Sequence, residues 1–247
     1  MKKLNQIGTA LILLLFISCE KSEENSTLQN LNCLPSNLQN GVIAFYSFGN
    51  GSLNDSSGNN HNLTNPTTAS SATDRAGNPN CAFNFIKSNN EFLQHTNPTF
   101  LDNLPTNNLS ISFWYKSNDL FGSRGVFISR DDQQHCNSSF GVWSIGYVNN
   151  VLIFEVSNGL ELNYGVENTT WEHIVITSDN SNNQLFVNGV LIQNGNGFNG
   201  ISCPILNQGD LFIGRLYDGL IDDIIIYDRV ITATEITELF NLAACCN

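Results

Sequence analysis

Apolar and polar residues alternate in short runs along most of the chain, and stretches rich in Asn, Gly and Ser separate these runs. Because successive side chains of a β-strand point to opposite faces, the pattern predicts many short, half-buried strands. Their spacing is typical of a β-sandwich or jelly roll. The predicted strands are Val42–Phe48, Cys81–Phe85, Glu91–His95, Leu109–Lys116, Gly125–Arg130, Phe140–Val148, Val151–Ser157, Trp171–Ser178, Gln184–Val187, Val190–Gln193, Leu211–Gly214 and Leu220–Tyr227.

Two dipeptides predict tight hairpin turns between consecutive strands. Asn188-Gly189 is the strongest short hairpin signal in the chain, and Asn149-Asn150 is a second one. One helix is predicted, over Ala233–Leu242, where apolar residues fall at helical spacing. Thr232 is a suitable N-cap, and Glu235 three residues later completes a capping box. We therefore expect an all-β fold, a sandwich of two antiparallel sheets with one short C-terminal helix.

The last predicted strand, Leu220–Tyr227, contains two adjacent carboxylates, Asp222 and Asp223, inside an apolar run. Regular alternation gives Asp222 the same face as Ile224 and gives Asp223 the opposite face. One of the two aspartates is then expected to point into the core, where an unpaired charge is very costly. A carboxylate in that position needs a cation, a metal ion or several hydrogen-bond donors.

Length and charge narrow the class of protein further. A chain of 247 residues suits one all-β domain with a sizeable core, and only 13% of its residues are charged. The formal net charge is −12. Nucleic acid is excluded as a partner, because phosphate binding needs clustered Lys and Arg. An acidic surface suits solubility and divalent cations.

The N-terminus reads as a targeting segment. Two lysines precede an apolar stretch, Ile7–Ile17, that is too short to span a bilayer. The residues Phe16-Ile17-Ser18-Cys19 resemble a bacterial lipobox, which implies a signal peptide over 1–18 and lipid attachment at Cys19. The acidic residues of 20–24 are similar to the export tag of surface lipoproteins of the Bacteroidota. This resemblance implies a surface-exposed protein of the outer membrane that contacts the membrane through its lipid anchor only. Plain secretion is the alternative.

Seven cysteines are present, and six remain if Cys19 carries lipid. An even number in an exported protein predicts disulfide bonds. The six are Cys33, Cys81, Cys136, Cys203, Cys245 and Cys246. The preferred pairs are Cys136 with Cys203, and Cys33 with either Cys245 or Cys246, which would join the two chain ends. Other connectivities and free thiols stay open.

Blocks of sequence from 41 to 240 resemble laminin-G-like domains, which are concanavalin A-like and related to pentraxins. The matching blocks are Gly41–Phe48, Gly51–Thr64, Asp74–Phe85, Leu109–Tyr115, Trp171–Thr177, Leu185–Leu191 and Gly219–Phe240. The resemblance implies a jelly-roll domain over 41–242. A flexible tether over 19–40 would precede it, and a Cys-containing tail over 243–247 would follow.

The same resemblance implies a structural calcium ion. In such domains the ion commonly bridges the first loop and the closing aspartate, which here are Asp55 and Asp222, with Asn60 or nearby carbonyls contributing. Carboxylate and amide oxygens are the ligands that calcium prefers. One alternative is that Asp222 accepts hydrogen bonds from backbone amides of residues 55–60. Simple exposure at a sheet edge is the other.

No catalytic motif accompanies these blocks. Glycosidases on this fold use two carboxylates that flank the sugar, and their usual strand motif is absent from the sequence. We therefore expect a domain without catalysis that binds carbohydrate or extracellular protein. Trp143 and Tyr147 share one face of their strand and are the candidate exposed aromatic platform. The alternatives are a structural component of the cell envelope without a soluble ligand and, third, a divergent glycosidase.

Overall fold

Two antiparallel β-sheets contain all the strands of the described chain. The computed structural model describes residues 33–104, 107–118, 124–131, 142–156, 159–165, 169–179, 181–195 and 207–246. The elements are β1 Val42–Tyr46, β2 Ser70–Ala72, β3 Ala82–Phe85, β4 Leu93–His95, β5 Leu109–Ser117, β6 Arg124–Asp131, β7 Trp143–Val148, β8 Val151–Val156, β9 Gly159–Gly165, β10 Glu172–Ser178, β11 Asn183–Val187, β12 Val190–Gly195, β13 Asp210–Ile213, β14 Gly219–Tyr227 and α1 Ala233–Asn241. Among these residues no helix is long and apolar enough to cross a bilayer.

One sheet has eight strands in the order β12-β11-β10-β5-β14-β3-β2, with β1 also paired to β14. The other has six strands in the order β4-β13-β6-β7-β8-β9. Strand β14 organises the larger sheet, because β5 pairs along one of its edges while β3 and β1 share the other. The predicted two-sheet antiparallel sandwich with a C-terminal helix is therefore confirmed.

The local turn and cap signals are also confirmed. Asn188 and Gly189 have φ of 51° and 77°, and Asn149 and Asn150 have φ of 48° and 64°. Positive φ at both central residues is what a type I′ hairpin turn requires. At the start of α1 the capping box forms between Thr232 and Glu235.

The main core lies between the two sheets. Strands β5 and β14 supply inward-facing residues from the larger sheet, and β6, β7 and β8 supply them from the smaller. Aromatic rings stack through this layer, with Phe127 lying 4.6 Å from Tyr115 and 4.9 Å from Tyr217 between ring centroids. The core is thus a continuous apolar layer between the two sheets.

A second apolar layer covers the outer face of the eight-stranded sheet. Helix α1 packs there through Ile236 and Leu239, and the segment that starts at Cys33 packs there through Leu34 and Leu38. Leu38 is fully buried, and its carbonyl accepts a hydrogen bond from the Tyr227 hydroxyl at 3.0 Å. The tether predicted over 19–40 is therefore too long at its C-terminal end, because the residues from 33 onward belong to the packed domain.

Two disulfides fix the end of the chain to this outer layer. Cys33 bonds to Cys245 and Cys81 bonds to Cys246, with Cα–Cα distances of 5.6 and 5.3 Å. The predicted link between the chain ends is confirmed, and Cys245 is its C-terminal partner. The preferred pair of Cys136 and Cys203 lies outside the described residues, as does Cys19.

Candidate functional site

A β-bulge in β14 decides where the two adjacent aspartates point. The pairing with β5 shifts register between Asp222 and Ile225, and Asp223 adopts φ of 44°. Ile221 and Ile224 both face the core between the sheets. Two residues therefore separate consecutive inward-facing side chains where a regular strand has one. Both aspartates lie on the outer face, so the alternation that assigned Asp222 to the face of Ile224 was wrong.

Arg75 is the cation that these carboxylates require. Its Nη1 donates to Asp222 Oδ2 at 3.0 Å and to Asp223 Oδ2 at 2.6 Å. The guanidinium carbon also lies 4.4 Å from the centre of the Trp114 ring, a cation–π distance. Arg75 sits in the turn between β2 and β3, which Asp74 holds by accepting hydrogen bonds from residues 76 and 78. The turn between β2 and β3 thus places the Arg75 side chain against the two buried aspartates of β14.

Burial makes these carboxylates unusual acids. The pKa of Asp222 is raised well above its ordinary value by burial and then by the Asp223 charge, while Arg75 opposes the shift. Burial also raises the pKa of Asp223 to about 6, again against the opposing effect of Arg75. One guanidinium therefore does not fully offset the cost of two buried carboxylates.

Next to this cluster, a small cavity lies beneath the C-terminal tail. Its lining includes Arg75, Trp114, His173 and Asp223, and its volume is about 20 Å³. His173 Nε2 lies 2.8 Å from the Ser112 hydroxyl, and burial followed by Arg75 lowers the His173 pKa to about 3. The space is of the size of a single water molecule and far too small for a sugar ring. The cluster is therefore a stabilising element of the fold, not a ligand pocket.

Asp55 organises the first loop through both of its carboxylate oxygens. Oδ1 accepts from the amides of Phe45 and Ser57, each at 2.9 Å. Oδ2 accepts from the Ser57 hydroxyl at 2.8 Å and from the His61 amide at 3.1 Å. The 55–61 loop is thereby attached to the free edge of β1, since the Ser56 amide also donates to the Phe45 carbonyl.

The residues implied for calcium do not form one donor set as they are placed. β1 lies between Asp55 and β14, so two strand spacings, roughly 10 Å, separate Asp55 from the strand of Asp222. Within the described part of the chain, Asp222 accepts hydrogen bonds from Arg75 and from the Asp223 amide. Asn60 is exposed on the loop. Among the described residues, the one three-residue set with metal-ligand atoms close together is Asp74, Cys81 and Cys246, of which the two cysteines form a disulfide.

The candidate aromatic platform is buried. Trp143 is 0% exposed and Tyr147 is 4% exposed, and both belong to the core between the sheets. The Tyr147 ring lies 5.7 Å from Phe127 and 6.2 Å from Tyr217. The two residues do share a strand face with Ile145, as predicted, but that face is the inner one. Neither residue is available to a ligand.

Other buried carboxylates have structural partners too. Glu172 accepts from the Tyr115 hydroxyl at 2.5 Å, and Asp131 pairs with Arg215. Glu91 accepts from the Ile86 amide at 2.7 Å. Together with Asp55, Asp74, Asp222 and Asp223, these are all the buried acidic side chains of the described chain. Each of them holds a turn, a loop or a strand end in place.

Three half-buried rings meet at one lateral edge of the sandwich, and we call His61, His95 and Phe100 the edge patch. His61 stacks on Phe100 with ring centroids 3.8 Å apart and an angle of 13° between planes. His95 stands nearly perpendicular to both, with centroids 6.0 Å from His61 and 5.1 Å from Phe100. Each histidine is isolated in the sequence, and only the pairing of the first loop with β4 brings them together.

That pairing is an isolated bridge between Thr64 and Gln94. It lays the loop that carries His61 along the free edge of β4, which carries His95. Phe100 comes from a short 3-10 helix at Thr99–Leu101 and packs partly against the main core. The sequence does not predict this patch, because His95 and Phe100 lie 34 and 39 positions after His61 and such separations form no local pattern.

A family model decides the classification of the domain. It is described as the concanavalin A-like lectin/glucanases superfamily, and it matches residues 87–237, more than half of the chain. The chain belongs to this laminin-G-like family. No curated protein sequence matches it.

Solved structures with the same fold include receptor-binding domains of botulinum neurotoxins. The binding domain of neurotoxin DC in complex with rat synaptotagmin II is 20% identical, with a TM-score of 0.66. A structure of botulinum neurotoxin type C, whose cell entry depends on interaction with two ganglioside molecules, is 18% identical, with a TM-score of 0.67. Each match covers 83% of this chain and 52% of the neurotoxin chain. At such identities the similarity shows a shared fold.

Proposed function

We propose that the protein is a surface recognition module that binds an extracellular glycan and performs no catalysis. The observation that carries this proposal is the use of every buried carboxylate in the described chain to hold structure. A glycosidase needs two carboxylates that flank a sugar in an open cleft. A family that includes lectins and a sandwich fold that displays loops along its edges support binding as the remaining activity.

Binding of a protein is the second candidate. It is supported by one structural neighbour, the neurotoxin binding domain in complex with rat synaptotagmin II, while another neighbour is in complex with SialylT. These ligands belong to the neurotoxins, which are about twice as long as the aligned region. Glycan binding is favoured here because the family description names lectins.

A glycan array tests the binding proposal. The probe is the full chain carrying Cys19→Ser, a change that prevents lipid attachment and permits work in aqueous buffer. We expect selective binding to a subset of glycans and no release of reducing sugar from any bound glycan. Absence of binding to every glycan would overturn the proposal, and capture of an extracellular protein would then favour the second candidate. Release of reducing sugar would restore the glycosidase alternative.

The lipid anchor and the surface position are part of the same proposal and rest on the sequence around Cys19. They predict that the native chain incorporates labelled fatty acid, fractionates with the outer membrane and is accessible to protease on intact cells. The Cys19→Ser variant should lose the label and leave the membrane fraction. Label retained by that variant would contradict lipid attachment at Cys19.

A further inference from the structure

The edge patch has the composition of a sugar-binding surface rather than of a core contact. Its three residues are half-buried, so each of them keeps some contact with solvent. One face of the His61 ring lies on Phe100, so a ligand that stacks on this ring would meet its opposite face. An aromatic face of this kind can pack against the apolar C–H face of a pyranose. Ring edges with nitrogen atoms can meet the hydroxyl groups around it.

The backbone that presents His61 is fixed on both sides of the ring. The His61 amide donates to Asp55 Oδ2 at 3.1 Å, and its carbonyl accepts from the Tyr46 hydroxyl at 2.7 Å. Asp55 and Tyr46 are themselves buried. A surface held in this way loses little conformational freedom when a ligand binds, which favours affinity. The loop of residues 55–61 therefore positions His61.

A backbone contact also sets the hydrogen-bonding character of His95. Its Nδ1 lies 2.9 Å from the Asn62 carbonyl oxygen, which can only accept. Nδ1 therefore carries the proton in the neutral ring, and Nε2 is left as an acceptor for a hydroxyl group. Exposed amide and hydroxyl side chains adjoin the rings along the chain and supply further donors and acceptors. These are Asn60, Asn62, Thr96 and Thr99.

The charges around the edge patch favour a neutral ligand. Asp55 holds the His61 amide, and Asp210 accepts from the Gln94 amide side chain at 2.6 Å and from the Asn97 amide at 2.8 Å. Two carboxylates therefore bind the segments that carry His61 and His95. The chain as a whole carries a formal charge of −12. A carboxylated or sulfated sugar would be repelled by this surface.

We propose that the edge patch of His61, His95 and Phe100 is a binding site for a neutral saccharide, which specifies the proposed glycan-binding function and rests on it. The His61 face stacks on the sugar ring, His95 Nε2 accepts a hydroxyl hydrogen, and Phe100 supports the His61 ring from below.

The test compares variants of the Cys19→Ser chain on immobilised neutral oligosaccharides of glucose, xylose, galactose and mannose, with sialylated and sulfated glycans as the anionic set. His61→Ala and His95→Ala should each weaken binding about tenfold or more, as the loss of one stacking or polar anchor implies. His61→Phe should retain most of the affinity, because it keeps the aromatic face. Leu191→Ala on β12, at the opposite lateral edge and 42% exposed, is the matched control and should bind as the unmodified chain does.

The possible outcomes distinguish a failure of the edge patch as the binding site from a failure of glycan binding as the function. If the unmodified chain binds neutral glycans and both alanine variants bind equally well, the edge patch is overturned while glycan recognition stands. If only anionic glycans bind, the neutral class is overturned. If no glycan binds at all, the proposed function fails together with this site. Thermal midpoints of the variants identify any loss that comes from unfolding, and His61→Phe supplies the folded comparison.

Discussion

Arg75 donates a hydrogen bond of 2.6 Å from Nη1 to Oδ2 of Asp223, a residue 148 positions away in the chain. The same nitrogen also donates to Asp222, so one guanidinium is shared between two buried carboxylates and offsets only part of the cost of burying them. Because the aspartates are adjacent on a bulge, the contact ties the turn before β3 to the closing strand. The C-terminal tail joins it, since the Cys245 amide donates to Asp223 Oδ2 at 3.2 Å.

Removing the cation is expected to be costly. Arg75→Met leaves two buried carboxylates without a counter-ion, and we expect it to lower the free energy of unfolding by about 3–5 kcal/mol. Urea denaturation at pH 7 measures this. Adding Asp222→Asn and Asp223→Asn to the same chain should restore part of the loss, because the amides carry no charge.

The matched control for Arg75 is Arg229→Met. It removes the partly exposed, two-pronged ion pair with Glu235 and the bond from Nε to the Asn40 carbonyl, for which we expect a cost of about 1 kcal/mol. Equal losses for Arg75→Met and Arg229→Met would mean that the buried cluster contributes no more than a surface pair does.

The pKa of His173 predicts a loss of stability in acid. A pKa lowered to about 3 means that the unfolded chain binds a proton below about pH 6.5 while the folded chain does not. Stability is therefore fully present above that pH and is lost as the pH falls toward 3. We expect the difference in unfolding free energy between the unmodified chain and His173→Gln to fall by about 1.4 kcal/mol per pH unit in this window. A difference that does not change with pH would refute the assignment.

Asp223 predicts the opposite pH dependence. Its folded pKa is raised to about 6, so the proton that it holds stabilises the fold at low pH. This contribution is lost as the pH rises from about 4 to 6. Asp223→Asn should therefore gain stability relative to the unmodified chain across the same window. Denaturation curves at several pH values, read as differences between the two proteins, separate this effect from that of His173.

Each disulfide should change how much stability the other contributes, because both restrict the entropy of the same unfolded chain. They span 212 and 165 residues, and because Cys245 and Cys246 are adjacent, the second bridge to form closes a loop of only about 50 residues. Removing either bridge alone as a Cys-to-Ser pair should cost about 2–5 kcal/mol, and removing both should cost more than the sum of the two. Urea denaturation of the three variants measures this, after peptide mapping without reductant confirms each pairing. The account would be contradicted if the stability lost on removing both bridges equalled the sum of the two single losses, or if it were no larger than one of them.

Calcium removal gives a direct test of the donor geometry. Since the oxygens of Asp55 already accept four hydrogen bonds, we expect the same thermal midpoint in EDTA and in calcium. Asp55→Ala should nevertheless lose on the order of 3 kcal/mol, because it leaves buried amides unpaired. Asn60→Gly is the control and should have little effect, since it keeps the left-handed backbone. A midpoint that rises with calcium and falls with Asn60→Gly would restore the metal site.

The sequence predicted turns and caps correctly where neighbouring residues alone determine the structure. The two Asn-containing turns require positive φ, and the Thr232–Glu235 box is satisfied within four residues, so neither depends on the rest of the fold. Strand β2 was missed because Ser70–Ala72 is short and lacks large apolar residues, and its pairing comes from β3 alone. Strand β9 was also missed, and it pairs only with β8.

The sequence by itself determined a two-sheet sandwich, its hairpins, its capped helix and a bridge between the chain ends, because alternation, turn chemistry and cysteine count follow from neighbouring residues or composition. Tertiary structure decided which face of a strand is inner, and that choice buried Trp143 and Tyr147. It also introduced the bulge that turned Asp222 and Asp223 toward Arg75, and it brought His61 to His95. These outcomes depend on register between distant strands, and a change of one residue in register moves a side chain to the opposite face.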